Sequence, residues 1–119
     1  MMRFLSRLFG RGASEVTWMD SSELRQRLRT GSVLLVDVRQ PEEYAAPPGH
    51  LPGAINVPLG DLSAGTADLR ARRQPIVLVC KTDRRSARAA AELRAAGLRD
   101  VAVLRGGTDG WHAQGLALE

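Results

Sequence analysis

One cysteine, Cys80, stands where a run of four β-favouring residues, Ile76-Val77-Leu78-Val79, meets a short polar segment, Lys81-Thr82-Asp83-Arg84-Arg85-Ser86. The reactive form of cysteine is the thiolate, whose ordinary pKa of about 8.5 falls beside cations and at helix N-termini. Lys81, Arg84 and Arg85 supply the cations, and the alanine-rich stretch Ser86 to Ala96, closed by Gly97, has the pattern of a strong helix. The segment therefore reads as strand, loop, helix. A tight loop of six residues, Cys80 to Arg85, turns successive backbone N–H groups inward as a nest for an anion. Such a site suits covalent catalysis, with Cys80 as nucleophile and residues 81 to 86 as the substrate cradle. Asp83 is the one residue of the segment that opposes the positive field.

Four residues outside the loop are candidates for support. Asp37 and Arg39 end the apolar run Ser32 to Val38, and Glu43 follows four residues after Arg39. The spacing predicts an Arg39–Glu43 pair across one helical turn and an Asp37 carboxylate bonded to loop backbone. His50 lies in the loop Ala45 to Gly53, rich in Pro and Gly, and is expected to donate a structural hydrogen bond. With one cysteine and neither a C-x-x-C nor a Cys/His cluster, the chain offers no metal site, cofactor site or internal disulfide.

The elements that position these residues alternate along the chain. Strands are predicted at Glu15 to Trp18, Ser32 to Val38, Ala54 to Val57, Ile76 to Val79 and Val101 to Leu104. Helices are predicted from Asp20 to Gly31, at Pro41 to Tyr44, weakly at Leu59 to Leu69 across Gly60 and Gly65, at Ser86 to Ala96, and at Thr108 to Ala113 after the Gly106-Gly107 turn. Trp111 is assigned to the core. Five short strands alternating with helices imply an α/β, three-layer fold: a five-stranded, mostly parallel sheet with helices on both faces. In such sheets ligands bind outside the carboxyl ends of the strands, where Cys80 falls.

A length of 119 residues, 44% of them hydrophobic, fits one domain. Residues 1–14 read as a basic amphipathic tail and 15–119 as the domain. Arg3, Arg7 and Arg11 recur at i, i+4 while Phe4, Leu5, Leu8 and Phe9 share the other face, a pattern compatible with weak membrane-surface contact. The net charge of +4 is largely this tail, because the remainder carries 14 basic against 13 acidic residues. With aromatics at 4%, nucleic-acid binding is not expected. No stretch approaches the roughly 20 apolar residues of a membrane span. The lone thiol fits a reducing, cytoplasmic location.

Several pieces in order resemble the rhodanese-like sulfurtransferases over about residues 15 to 115: Asp37-Val38-Arg39 with Glu43-Tyr44, the run from Gly49 to Pro58 (GHLPGAINVP), Cys80 to Ser86, and Leu104-Arg105-Gly106-Gly107 with Gly110-Trp111. The resemblance implies a single-domain α/β fold with a five-stranded parallel sheet, Cys80 as nucleophile, and transfer of a sulfane sulfur through a cysteine persulfide. The expected partners are a small anionic sulfur donor, such as thiosulfate or a persulfide, and a thiol or cyanide acceptor, including an acceptor protein. Tyrosine-phosphatase-like enzymes instead place an arginine six residues after the cysteine to clamp phosphate. Here position 86 is serine and the pattern is C-x4-R-S, which gives a smaller cradle and disfavours phosphatase or arsenate reductase activity. Where many rhodaneses have glycine at the fourth loop position, this chain has Asp83, and positive φ there would strain an aspartate. The alternative from another class is a non-catalytic rhodanese-like binding or regulatory module.

Overall fold

The computed structural model describes residues 16–119; the basic tail, residues 1–14, and Glu15 lie outside the described residues. Five strands, β1 (Trp18–Met19), β2 (Leu34–Asp37), β3 (Ile55–Asn56), β4 (Ile76–Val79) and β5 (Val101–Leu104), form one sheet in the order β1-β5-β4-β2-β3. Every pairing is parallel, so the sheet is wholly rather than mostly parallel. The helices are α1 (Ser21–Thr30), α2 (Pro41–Ala45), α3 (Leu62–Ala71), α4 (Arg84–Ala95) and α5 (Gly107–Ala113), with a 3-10 turn at Leu59–Asp61 before α3. Among the described residues no helix is long and apolar enough to cross a membrane.

Local chemistry sets the element ends. Asp20 caps α1 by accepting the Glu23 N–H at 2.8 Å, and Gly31 closes that helix in the left-handed conformation. The continuous apolar runs of β2, β4 and β5 are buried at every position, as strands covered on both faces must be. Successive side chains alternate between two cores. Leu34, Val36, Leu78 and Val103 pack with Leu62 and Leu69 of α3 and Ala89, Ala90 and Leu93 of α4. Leu35, Val77, Val79 and Leu104 pack on the other face with Leu24 of α1 and Trp111 of α5. Trp111 is core, as expected, and its indole N–H donates to the Ala117 carbonyl at 2.9 Å.

Several boundaries differ from the sequence reading, among them β2 (Leu34–Asp37, not Ser32 to Val38), β3 (Ile55–Asn56, not Ala54 to Val57) and α5, which begins at Gly107 and not at Thr108. β1 begins at Trp18 and not at Glu15. The weak helix across Gly60 and Gly65 resolves into the 3-10 turn and then α3, which runs on to Ala71. The largest change for function is α4, which starts at Arg84 and not at Ser86, because the Asp83 carbonyl accepts the Ala87 N–H at 2.9 Å. Arg85 is thus a residue of the first helical turn, and the connecting loop shortens to Cys80–Asp83.

The sheet order also fixes where a ligand can sit. From β2 the chain moves outward to β3, then returns to place β4 on the other side of β2 and β5 beyond it. The order reverses between β2 and β4, which is the crevice position expected of open parallel sheets. Asp37 pairs with Val79 in register, and the Val38 N–H donates to the Val79 carbonyl at 2.9 Å. The end of β2 therefore lies against the residue preceding Cys80.

Candidate active site at the end of the central strand

Cys80 is buried, with 1% of its surface exposed. Its Sγ faces the first turn of α4, where the Ser86 N–H donates to it at 3.4 Å and the Ser86 Oγ lies 3.3 Å away. Ser86 Oγ is also 3.2 Å from the Asp83 carbonyl, to which it donates when the thiol is protonated. On deprotonation that hydroxyl can turn its hydrogen to the thiolate, so one rotor serves both states.

The loop owes its orientation to α5. The Thr108 N–H donates to the Cys80 carbonyl at 2.9 Å, and the Asp109 N–H donates to the Lys81 carbonyl at 2.9 Å. Gly107, at φ 59°, packs so closely that a Cβ would collide with the carbonyl oxygens of Cys80, Lys81 and Thr82. Because the peptide unit is trans and planar, carbonyls drawn to α5 turn the amides of Lys81, Thr82 and Asp83 to the opposite side. The N–H groups of residues 81 to 85 donate to no other described residue. Together with the Ser86 N–H they are donors that an anion beside Sγ could use.

The side chains of the cradle do not behave as its composition predicts. Arg85 grips Glu43 in a two-point ion pair, with Nη1 to Oε1 at 2.6 Å and Nη2 to Oε2 at 2.9 Å. Glu43 also accepts the Gln40 N–H at 3.0 Å at the start of α2. The hydrogen-bonded Arg85 guanidinium is the main reason the Glu43 carboxyl is held down to about 2, against the opposing effect of burial. Reciprocally, Glu43 raises the pKa of Arg85, and the neighbouring Cys80 adds to that rise. Lys81 extends outward to both Asp109 oxygens, at 2.9 and 3.1 Å. Arg84 and Thr82 are exposed. Two of the three cations of the loop, Lys81 and Arg85, are thus each held by a carboxylate.

Asp83 needs no left-handed backbone: its φ of −158° is negative, so the strain expected from a glycine position does not arise. Its Oδ2 accepts the Gly106 N–H at 3.0 Å and ties the loop to the β5–α5 turn. The predicted Arg39–Glu43 pair does not form. Arg39 turns instead to Asp37, with Nη2 to Oδ2 at 2.8 Å and Nε to Oδ1 at 3.0 Å, and donates through Nη2 to the Gly49 carbonyl at 3.1 Å. Both residues are buried, at 5% and 0% exposed, and an unpaired carboxylate there costs more than a lost pair on a helix surface. Asp37 does bond loop backbone as expected, accepting the Arg39 N–H at 2.9 Å.

His50 has a structural place: Nδ1 lies 3.0 Å from the Tyr44 carbonyl, and its ring stacks on Tyr44 at 3.7 Å. Burial, followed by the charges of Asp37 and Glu119, raises the pKa of Tyr44, so its hydroxyl stays protonated to donate to the Ala54 carbonyl. Sequence reasoning missed Asn56, whose Nδ2 bridges the Asp37 and Arg39 carbonyls at 3.0 and 2.9 Å. It also missed the role of Gly107, Thr108 and Asp109; the Gly106-Gly107 pair signalled a turn but not its contact with the loop. A groove of about 410 Å³ beside Trp18, Ile76 and Val101 contains none of residues 80–86.

Comparison with known proteins agrees with this geometry. The Rhodanese-like domain family matches residues 20–114, and the chain belongs to that family. A sulfurtransferase of Allochromatium vinosum is 36% identical over 104 residues, covering 87% of this chain and 94% of the relative. Other curated relatives are longer: the chain spans 25% of one and 59% of another. Among solved structures, the human single-domain sulfurtransferase TSTD1 superposes with a TM-score of 0.72 at 27% identity, covering 84% of this chain and 98% of that one. A protein of unknown function from Rhodopseudomonas palustris, described as a possible tyrosine phosphatase, gives a TM-score of 0.81 at 25% identity over 91% of this chain and 88% of that one. The family thus includes proteins named as sulfurtransferases.

Proposed function

We propose that the protein moves a sulfane sulfur through a persulfide on Cys80. The single observation that carries this reading is the buried Cys80 Sγ, faced by the N–H and Oγ of Ser86 at the end of a row of unpaired amides. The Cys80 thiolate attacks the outer sulfur of the donor, the donor's S–S bond breaks, and its electron pair leaves with sulfite when the donor is thiosulfate or with a thiolate when it is a persulfide. The amides of Lys81 to Ser86 hold the new persulfide anion. An acceptor thiol or cyanide then takes the outer sulfur and restores the Cys80 thiolate. These 119 residues hold no second cysteine, so the acceptor is another molecule, either small or a protein. A reducing cytoplasm suits the cycle, since the thiol must be regenerated.

The phosphatase reading is disfavoured by the cradle itself. A phosphoryl clamp needs a free guanidinium, whereas Arg85 is held at two points by Glu43 and position 86 presents a serine to the sulfur. Mass spectrometry after exposure to thiosulfate or a hydropersulfide tests the proposal: the protein gains about 32 Da, the mass of one sulfur atom, on Cys80. Cys80→Ala gains nothing and forms no thiocyanate with cyanide. A wild-type protein that never takes up sulfur is a binding module, not a transferase.

A further inference from the structure

We infer that the cradle takes its sulfur from a hydropersulfide carried on a thiol in preference to the thiosulfate dianion. This rests on the sulfurtransferase reading above and narrows its donor. Thiosulfate brings two negative charges and a sulfonate group of three oxygens. Amides can hold one sulfur atom, but the remaining charge must be met by cations at the mouth.

Two of the three loop cations are already engaged. Lys81 is held by both oxygens of Asp109, and Arg85 by both oxygens of Glu43. The Glu43 carboxyl, held down to about 2, stays ionised through the physiological range and does not release Arg85. Asp83 adds a third carboxylate within the loop, fixed on the Gly106 N–H at 3.0 Å. Arg84 is exposed and enters no salt bridge with another described residue. With Cys80 only 1% exposed, entry is confined to a slender terminal sulfur, which both donors carry, so the group behind that sulfur decides between them. In a hydropersulfide R–S–SH that group is an uncharged thiol sulfur and not a sulfonate. The Cys80 thiolate attacks that outer sulfur, the S–S bond of the donor breaks, its electron pair leaves with R–S⁻, and the proton stays on the transferred sulfur as Cys80–S–SH. Charge and atoms balance without an added oxidant or reductant.

The test follows the rate at which the full chain gains about 32 Da from sodium thiosulfate and from cysteine hydropersulfide at equal concentration. Wild-type protein loads at least about ten-fold faster from the hydropersulfide. Asp109→Asn frees Lys81, and Asp83→Asn removes a charge while keeping an oxygen for the Gly106 N–H. Each raises the ratio of thiosulfate to hydropersulfide loading about three-fold, the size expected for partly exposed charges. Faster loading from thiosulfate in the wild type, or an unchanged ratio in both variants, overturns the inference while leaving sulfur transfer intact. Loading from neither donor overturns the transfer reading itself.

Discussion

Arg85 and Glu43, 42 residues apart in sequence, meet in a two-point ion pair that fastens the first turn of α4 to α2. The pair ties the helical turn that carries Ser86 to α2 and contributes to acid stability. Glu43 titrates at about 2 in the folded protein against 4.5 ordinarily. A depressed carboxylate contributes stability that is fully present above its unfolded value and is lost as pH falls through its folded value. Both side chains are about one-third exposed, so solvent screening reduces the contribution to about 1 kcal/mol. Glu43→Gln should therefore lower unfolding stability at pH 7 by about that amount and flatten its decline between about pH 4.5 and 2. Denaturant titrations across that range check this; identical slopes in both proteins would show that the pair contributes nothing.

Ser86→Ala separates the two groups that face the sulfur. It keeps the Ser86 N–H at 3.4 Å but removes the Oγ at 3.3 Å. Losing one hydrogen bond to a charged acceptor should slow alkylation of Cys80 by iodoacetamide at neutral pH about five-fold, equivalent to about 1 kcal/mol. Persulfide loading should slow with it. An unchanged alkylation rate would assign thiolate stabilisation to the amides alone.

Gly107 and Gly31 form a natural control for the packing of α5 against the loop. Both have positive φ, at 59° and 69°, but a Cβ on Gly31 meets nothing within 4 Å while one on Gly107 collides with three loop carbonyls. Gly31→Ala should cost about 1 kcal/mol, from backbone strain. Gly107→Ala adds overpacking and should cost about 2–4 kcal/mol, with loss of sulfur loading. Equal losses of stability would be incompatible with a loop held against α5.

The sequence made the cysteine site legible because its parts are local. A strand, a cysteine, a polar turn and an alanine-rich helix lie within 20 residues of chain, from Ile76 to Ala95. What could not be read was which acid each cation meets. Helical spacing points Glu43 to Arg39, yet Arg39 is needed at Asp37, and the placement of β4 beside β2 then brings Arg85 to Glu43. Asp83 shows the same limit. Its type suggested strain and a damped field, whereas its φ is negative and its carboxylate anchors Gly106, a partner that only the folded chain supplies. Pairings that depend on sheet order leave no periodic trace.

The Asp37–Arg39 pair gives the sharpest test of that topology. Asp37 is fully buried, and its carboxylate receives three bonds from the Arg39 side chain and one from the Arg39 N–H. Removing the cation strands a buried charge, so Arg39→Met should destabilise the protein by about 3–5 kcal/mol. Removing the charge as well, in Asp37→Asn with Arg39→Met, leaves an amide that can still accept the backbone N–H and should recover at least about 1 kcal/mol of that loss. The cycle is measured by denaturant unfolding. If the double variant were less stable than the sum of the singles, the pair would not be the interaction holding the end of β2 beneath Cys80.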